Sequence, residues 1–255
     1  MEKTLRFDDL VRLIEERAAV FCAVVEGAPD LGVQVPTCPE WTLFDLAQHI
    51  GQSRRFWAMN VAAGEAEGPS AEAFAVKQSE APRDRAELVE WVAEGVRLMA
   101  AALREAGPDS PCWAWWGDSQ SPLTVGAVAR HQLQEIAVHT YDAQLAVGAA
   151  EPLPLEVALD GVDEFLHTCC PTSVAWPFEP ALLDYRVKEG GSWRLSLSGD
   201  GVRVSAIGPE PGDVTAVAGA SELVLTLYGR LQVEDLEAEG DLKILRRIAD
   251  WDPSA

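Results

Sequence analysis

The sequence predicts an α+β protein: an N-terminal four-helix bundle followed by a small C-terminal domain of mixed helix and strand. Three observations carry that prediction. From Phe7 to about Cys169, apolar residues recur at helical spacing in stretches separated by Gly- and Pro-containing breakers. A Pro-rich stretch, Pro171 to Pro180, comes next. Beyond it, polar and apolar residues alternate with period two, as in half-buried strands. The expected domains are therefore residues 1–172 and 180–255.

The first helix spans Phe7 to about Val25, with Leu10, Leu13, Ile14, Ala18 and Phe21 on one face, and Gly27-Ala28-Pro29-Asp30 breaks it. Pro36 and Pro39 hold the next segment extended. Thr42 then starts a second helix, with Asp45 placed to complete a capping box and Trp41 and Leu46 spaced as a hydrophobic staple. This helix runs to about Ala63, and His49 shares a face with Leu46, Ile50 and Ser53. Gly64 to about Arg83 reads as a loop, and a third helix covers Arg85 to Glu105. Trp113, Trp115 and Trp116 fall in the following breaker, where they are expected to cover the end of a bundle or roof a cavity. The fourth helix is Thr124 to Leu145, ended by Gly148. A fifth, Leu155 to about Cys169, stops at Pro171. Strands are expected at 185–188, 193–197, 202–206 and 214–217, with Gly199-Asp200-Gly201 as a hairpin turn. A helix capped by Ser221 (Glu222 to Tyr228), a short strand at 235–237 and a helix capped by Asp241 complete the chain.

Charge and composition exclude some functions. With 41 acidic and 20 basic residues the net charge is −21, a field that repels phosphate backbones and anionic membranes. The five cysteines are odd in number and form no C-x-x-C pair, so a disulfide framework is not expected and a reducing cytoplasm is. No signal-peptide core and no apolar run of roughly 18 residues occurs, so a soluble protein without a membrane partner is expected. There is no G-x-G-x-x-G or P-loop, and no Ser/His/Asp or Cys/His constellation with useful spacing.

The chemistry-bearing stretch is Arg130 to Asp142, which places His131, Glu135 and His139 at successive i, i+4 positions on one helical face. A carboxylate in a bundle interior needs a cation, and imidazole with carboxylate suits zinc or a similar ion. Three ligands at i, i+4 and i+8 would span ~12 Å along the axis, too far for one ion with bonds near ~2 Å. At most one adjacent pair shares a metal, either Glu135/His139 or His131/Glu135, and His49 on a facing helix is a candidate third ligand. Asp142, one turn beyond His139, can orient its free ring nitrogen. His167, beside Cys169 and Cys170, reads as structural.

Three segments resemble one family. Val35-Pro36-Thr37-Cys38-Pro39-Glu40-Trp41-Thr42, continuing through Leu46-Ala47-Gln48-His49-Ile50-Gly51, is similar to the N-terminal motif of mycothiol-dependent maleylpyruvate isomerases. Glu135 to Ala143 resembles that family's E-x-x-x-H-x-x-D-A segment, and 220–231 with 236–241 resembles its C-terminal domain. The resemblance implies a DinB/YfiT-like bundle with a divalent metal, usually zinc, on His49, Glu135 and His139. It implies mycothiol as cofactor and Arg230 as the arginine that the C-terminal domain contributes to catalysis. Where an Arg commonly follows the second histidine, this chain has Thr140 and Tyr141, which bears on the substrate. The activity implied is thiol addition to a small electrophile, as an S-transferase or a cis–trans isomerase of maleylpyruvate type. A non-catalytic small-ligand sensor on the same bundle and a metal-dependent hydrolase are the alternatives. The expected partners are a small thiol and a small electrophile, with no nucleic acid, in a monomer or homodimer.

Overall fold

The computed structural model describes residues 5–253. The chain forms eight α-helices, one short 3-10 turn and one five-stranded sheet among these residues, an α+β architecture. It divides into two compact units. One comprises Leu5–Trp115 and Leu123–Leu153; the other comprises Trp116–Pro122 and the chain from Pro154 onward. No described helix is long and apolar enough to cross a membrane.

The first unit is a helical bundle of α1 (Phe7–Gly27), α2 (Leu43–Ala63), α4 (Arg85–Ala106) and α5 (Val125–Ala146), with α3 (Ala71–Val76) as a short extra helix. Its core is built from the apolar faces legible in the sequence: Ile14 and Phe21 of α1, Leu46 and Ile50 of α2, Leu88 and Met99 of α4, and Leu133 and Ile136 of α5 are fully buried. Helix α2 lies against α4, and α1 against both α4 and α5. Close approach of α2 and α4 needs a residue without a side chain. The Trp91 indole fills the space that a Gly51 side chain would take. Arg55 closes the same contact, donating to Trp91 O and Glu94 Oε2 at 2.8 Å each.

The helix starts follow their capping chemistry. Thr42 accepts from Asp45 N while Asp45 accepts from Thr42 N, the expected capping box. Thr124 Oγ1 accepts from Ala127 N at the start of α5. The expected loop from Gly64 to Arg83 contains α3, started by Ser70, whose hydroxyl accepts from Ala73 N. Six residues are too few for a periodic apolar pattern, so only the cap marks it.

The second unit contains α6 (Leu155–Thr168), β1 (Ala181–Val187), β2 (Ser192–Ser198), β3 (Gly201–Ser205), β4 (Val214–Ala218), α7 (Ala220–Leu227), β5 (Glu237–Gly240) and α8 (Leu242–Asp250). Sheet order is β3-β2-β1-β4-β5, with β1 and β4 parallel and the other pairs antiparallel. Leu183, Tyr185 and Val187 of β1 and Trp193, Leu195 and Leu197 of β2 are buried. Directly opposed on the same strands, Asp184 accepts two bonds from Arg194, at 2.6 and 2.7 Å, a bidentate pair with both partners buried. Gln120 extends the edge of β3: its side chain accepts from Val204 N at 2.7 Å and donates to Val204 O at 2.9 Å.

Helix α6 packs with α7, so the chain from Pro154 onward belongs to the second unit, and the boundary expected between 172 and 180 falls inside that unit. Two further details depart from expectation. Helix α7 starts after Gly219, whose N–H is met by Glu222 Oε2 at 3.0 Å, so Ser221 lies within the helix instead of capping it. The last strand is Glu237–Gly240 and not 235–237, because Val233–Asp235 forms a 3-10 turn.

Candidate metal centre

Helices α2 and α5 carry the site. His49 sits two turns into α2, and Glu135 and His139 lie one turn apart near the middle of α5. Their ligand atoms all lie within 4.8 Å of one another. His49 Nε2 is 3.1 Å from Glu135 Oε1, and the two imidazoles meet edge-on with ring centroids 5.2 Å apart. None is sealed off: the His49, Glu135 and His139 side chains are 34 %, 20 % and 13 % exposed, so the cradle is open on one side.

Each ligand has a supporting partner. Asp142, fully buried, accepts at Oδ2 from His139 Nδ1 at 2.8 Å. That bond holds the ring and leaves Nε2 as the nitrogen for a cation. The other oxygen, Oδ1, accepts from Thr37 Oγ1 at 2.6 Å. Ser53, one turn after His49 on α2, donates to Glu135 Oε1 at 3.1 Å. Burial pushes the Glu135 carboxyl up, but the His49 hydrogen bond and the charges of His139, His49 and Arg54 override it and hold the group well below its ordinary range.

Arg54 lies fully buried in the core and ties the two helices together, donating through Nη1 to Gln132 Oε1 at 2.6 Å and Gln132 O at 3.1 Å. Its Nε and Nη2 make no hydrogen bond among the described residues, and burial pushes the guanidinium down to about 10, against the pull of Glu135.

The loop before α2 forms a wall. Backbone bonds from Val35 N to Trp41 O, Cys38 N to Val35 O and Trp41 N to Cys38 O fold it tightly. It sets the Trp41 ring 4.8 Å from that of His49 and 6.1 Å from that of His139.

Two nitrogens and one carboxylate oxygen, with an open fourth side, suit a catalytic rather than a structural zinc-type site. The ionised state of Glu135 and the second nitrogen held by Asp142 fit a divalent cation as well.

Other candidates lie elsewhere. His131 is outside the cradle, its ring edge-on to Trp115 at 5.6 Å. Trp113 stacks on Trp57 at 6.1 Å and meets Phe56 at 6.5 Å, while Trp116 is buried with its Nε1 donating to Pro122 O. His167 Nδ1 contacts Asp163 O at 2.9 Å, the helical back-bond of a structural residue. In the second unit, Arg230 follows Gly229 just beyond α7 and donates through Nη1 to Tyr228 O at 2.7 Å. Thr37, Trp41, Ser53 and Arg54 carry no site role in the sequence reading. Ser53 had a visible signal, its place one turn from His49; Thr37 and Trp41 lie in the segment similar to the family's N-terminal motif.

Comparison with known proteins gives the site a context. The family model described as mycothiol maleylpyruvate isomerase N-terminal domain matches residues 11–144, and the MDMPI C-terminal domain matches residues 156–247. No curated protein matches the chain by sequence. Two crystal structures of a mycothiol-dependent maleylpyruvate isomerase share the fold. A histidine-to-alanine mutant aligns with TM-score 0.61 and the unmutated enzyme with 0.58; each is 12 % identical and covers 94 % of this chain and 96 % of its own. With both domain models matched in order over most of its length, the chain belongs to the mycothiol maleylpyruvate isomerase family.

Proposed function

We propose that the protein is a mycothiol-dependent metalloenzyme acting on a small electrophile, with His49, Glu135 and His139 holding a divalent cation, zinc by donor set. The observation that supports this most is the convergence of two imidazoles and one ionised carboxylate from facing helices on a half-open cradle. When bound, the cation keeps a coordinated thiol deprotonated at neutral pH, and mycothiol supplies that thiol.

The chain's own residues have separable tasks. Asp142 and Thr37 hold His139 in one tautomer and one orientation. Ser53 fixes the Glu135 oxygen that faces His49, so the carboxylate's direction is set before any ligand arrives. Trp41 sets its ring beside both imidazoles and supplies an aromatic wall to the cradle. Arg230 is the proposed cation for a substrate carboxylate, the role its family position implies. The reaction class is thiol addition to an activated double bond or other electrophilic carbon. It ends in cis–trans isomerisation of the maleylpyruvate type or in S-transfer. A reducing cytoplasm is the proposed setting.

The test is turnover of maleylpyruvate, and of a model electrophile, with and without mycothiol. Consumption that requires the thiol, and is lost in Glu135→Ala together with bound metal, is expected. Consumption without any thiol would replace this reading with hydrolysis, and ligand binding without turnover would replace it with a sensor.

A further inference from the structure

A second constellation of metal-binding side chains adjoins the first. Cys38 Sγ, an Asp142 oxygen and a His139 nitrogen lie within 4.8 Å of one another. The sulfur is 4.0 Å from Asp142 Oδ2, and that oxygen is 2.8 Å from His139 Nδ1. These atoms are placed in advance. Cys38 is held in the tight loop by its own N–H to Val35 O and by Trp41 N to its carbonyl, and the loop is closed by the Gln34–Thr42 bridge. Asp142 is fixed at its other oxygen by Thr37. The 4.0 and 2.8 Å separations both lie within the ~4.4 Å that one ion can span with a metal–sulfur bond of about 2.3 Å and a metal–nitrogen or metal–oxygen bond of about 2.0–2.1 Å. The donor set also differs from that of the first cradle. A thiolate brings softness, which favours thiophilic ions over magnesium or calcium.

We propose that Cys38, Asp142 and His139 form a second, inhibitory binding site for a thiophilic divalent cation such as Cd²⁺ or excess Zn²⁺. Binding forms metal–sulfur, metal–oxygen and metal–nitrogen bonds. It expels to solvent the Cys38 thiol proton and the proton shared by His139 Nδ1 and Asp142. The inhibitory consequence rests on the proposed His49/Glu135/His139 centre: with both sites filled, His139 bridges the two ions as an imidazolate, and the cation on Nδ1 replaces the Asp142 bond that supports the ring in that cradle. The second site's own donors do not depend on that reading.

Cadmium is the probe, because its bond to a thiolate absorbs in the ultraviolet while its bonds to nitrogen and oxygen do not. Cd²⁺ is titrated into the full-length protein and into the His49→Ala and Cys38→Ser variants, with Cys38→Ala as a second variant should the serine misfold. Wild type is expected to bind two equivalents and to develop the thiolate band. His49→Ala should keep one equivalent and the band, and Cys38→Ser should keep one equivalent and lose it. A band that survives in Cys38→Ser and Cys38→Ala belongs to another cysteine and overturns the proposal, as does the absence of a band in wild type. If Cys38→Ser binds no cadmium while His49→Ala keeps the band, the second site stands and the three-ligand centre fails.

Discussion

Replacing Asp142 with Asn should weaken metal binding while leaving the bundle folded. Asp142 is fully buried and serves two partners, His139 Nδ1 at 2.8 Å and Thr37 Oγ1 at 2.6 Å. Asn keeps the volume and one acceptor, but it turns an NH₂ towards one of those donors and removes the charge that favours the metal-binding tautomer of His139. Losing such an outer partner typically weakens metal affinity 10- to 100-fold, which is roughly 1.4–2.8 kcal/mol at about 1.4 kcal/mol per decade. The fold loses one buried hydrogen bond and gains one mispaired donor, about 1–3 kcal/mol. The assay is zinc affinity by chelator competition below one equivalent, with thermal unfolding of the metal-free protein followed in parallel. The expected result is an affinity at least about tenfold weaker with helical circular dichroism intact. An Asp142→Asn variant that binds zinc as tightly as wild type would refute the orienting role.

Three further outcomes follow from the same contacts. Glu135 is held below its ordinary value of 4.5, so its ionised form stabilises the metal-free fold above that pH, and the contribution is lost as pH falls through the lowered folded value. The stability gap between wild type and Glu135→Gln, read from denaturant midpoints, should therefore be full near neutrality and close on acidification below 4.5. Gly51→Ala drives a methyl into the Trp91 indole and should destabilise the bundle by about 1–3 kcal/mol, measured by urea unfolding. Arg54→Met removes a buried guanidinium with two unpartnered nitrogens, so its melting temperature should be unchanged or raised; a large drop would show that the bonds to Gln132 outweigh the cost of burying the charge.

Local chemistry made much of the architecture legible. The bundle helices were set by apolar spacing, and α2 began where Thr42 and Asp45 close their capping box. Where the signal was weak, the reading slipped. Ser221 is a good capping residue by type, but Glu222 serves Gly219 instead, moving the start of α7. Strand β5 is four residues long and mostly exposed, too short for its alternation to fix its bounds. Helix α6 has an apolar face like those of the bundle, and its periodicity does not say which unit it packs with.

The site divides in the same way. Glu135 and His139 were readable as a pair because one helical turn separates them. His49 was a candidate only through the idea of a facing helix, and the family resemblance selected it over His131. The supporting contacts join residues far apart in the chain: Thr37 to Asp142 across 105 positions, Ser53 to Glu135 across 82 and Arg54 to Gln132 across 78. No periodicity encodes such pairs; tertiary packing alone brings them together.

In the proposed reaction a cation on His49, Glu135 and His139 receives the cofactor's sulfur. Its most direct test is the absorption spectrum of cobalt-substituted protein as mycothiol is added. A new thiolate-to-cobalt charge-transfer band is expected, saturating at one thiol per metal and absent in Glu135→Ala. A cobalt spectrum that does not change on adding mycothiol would contradict it.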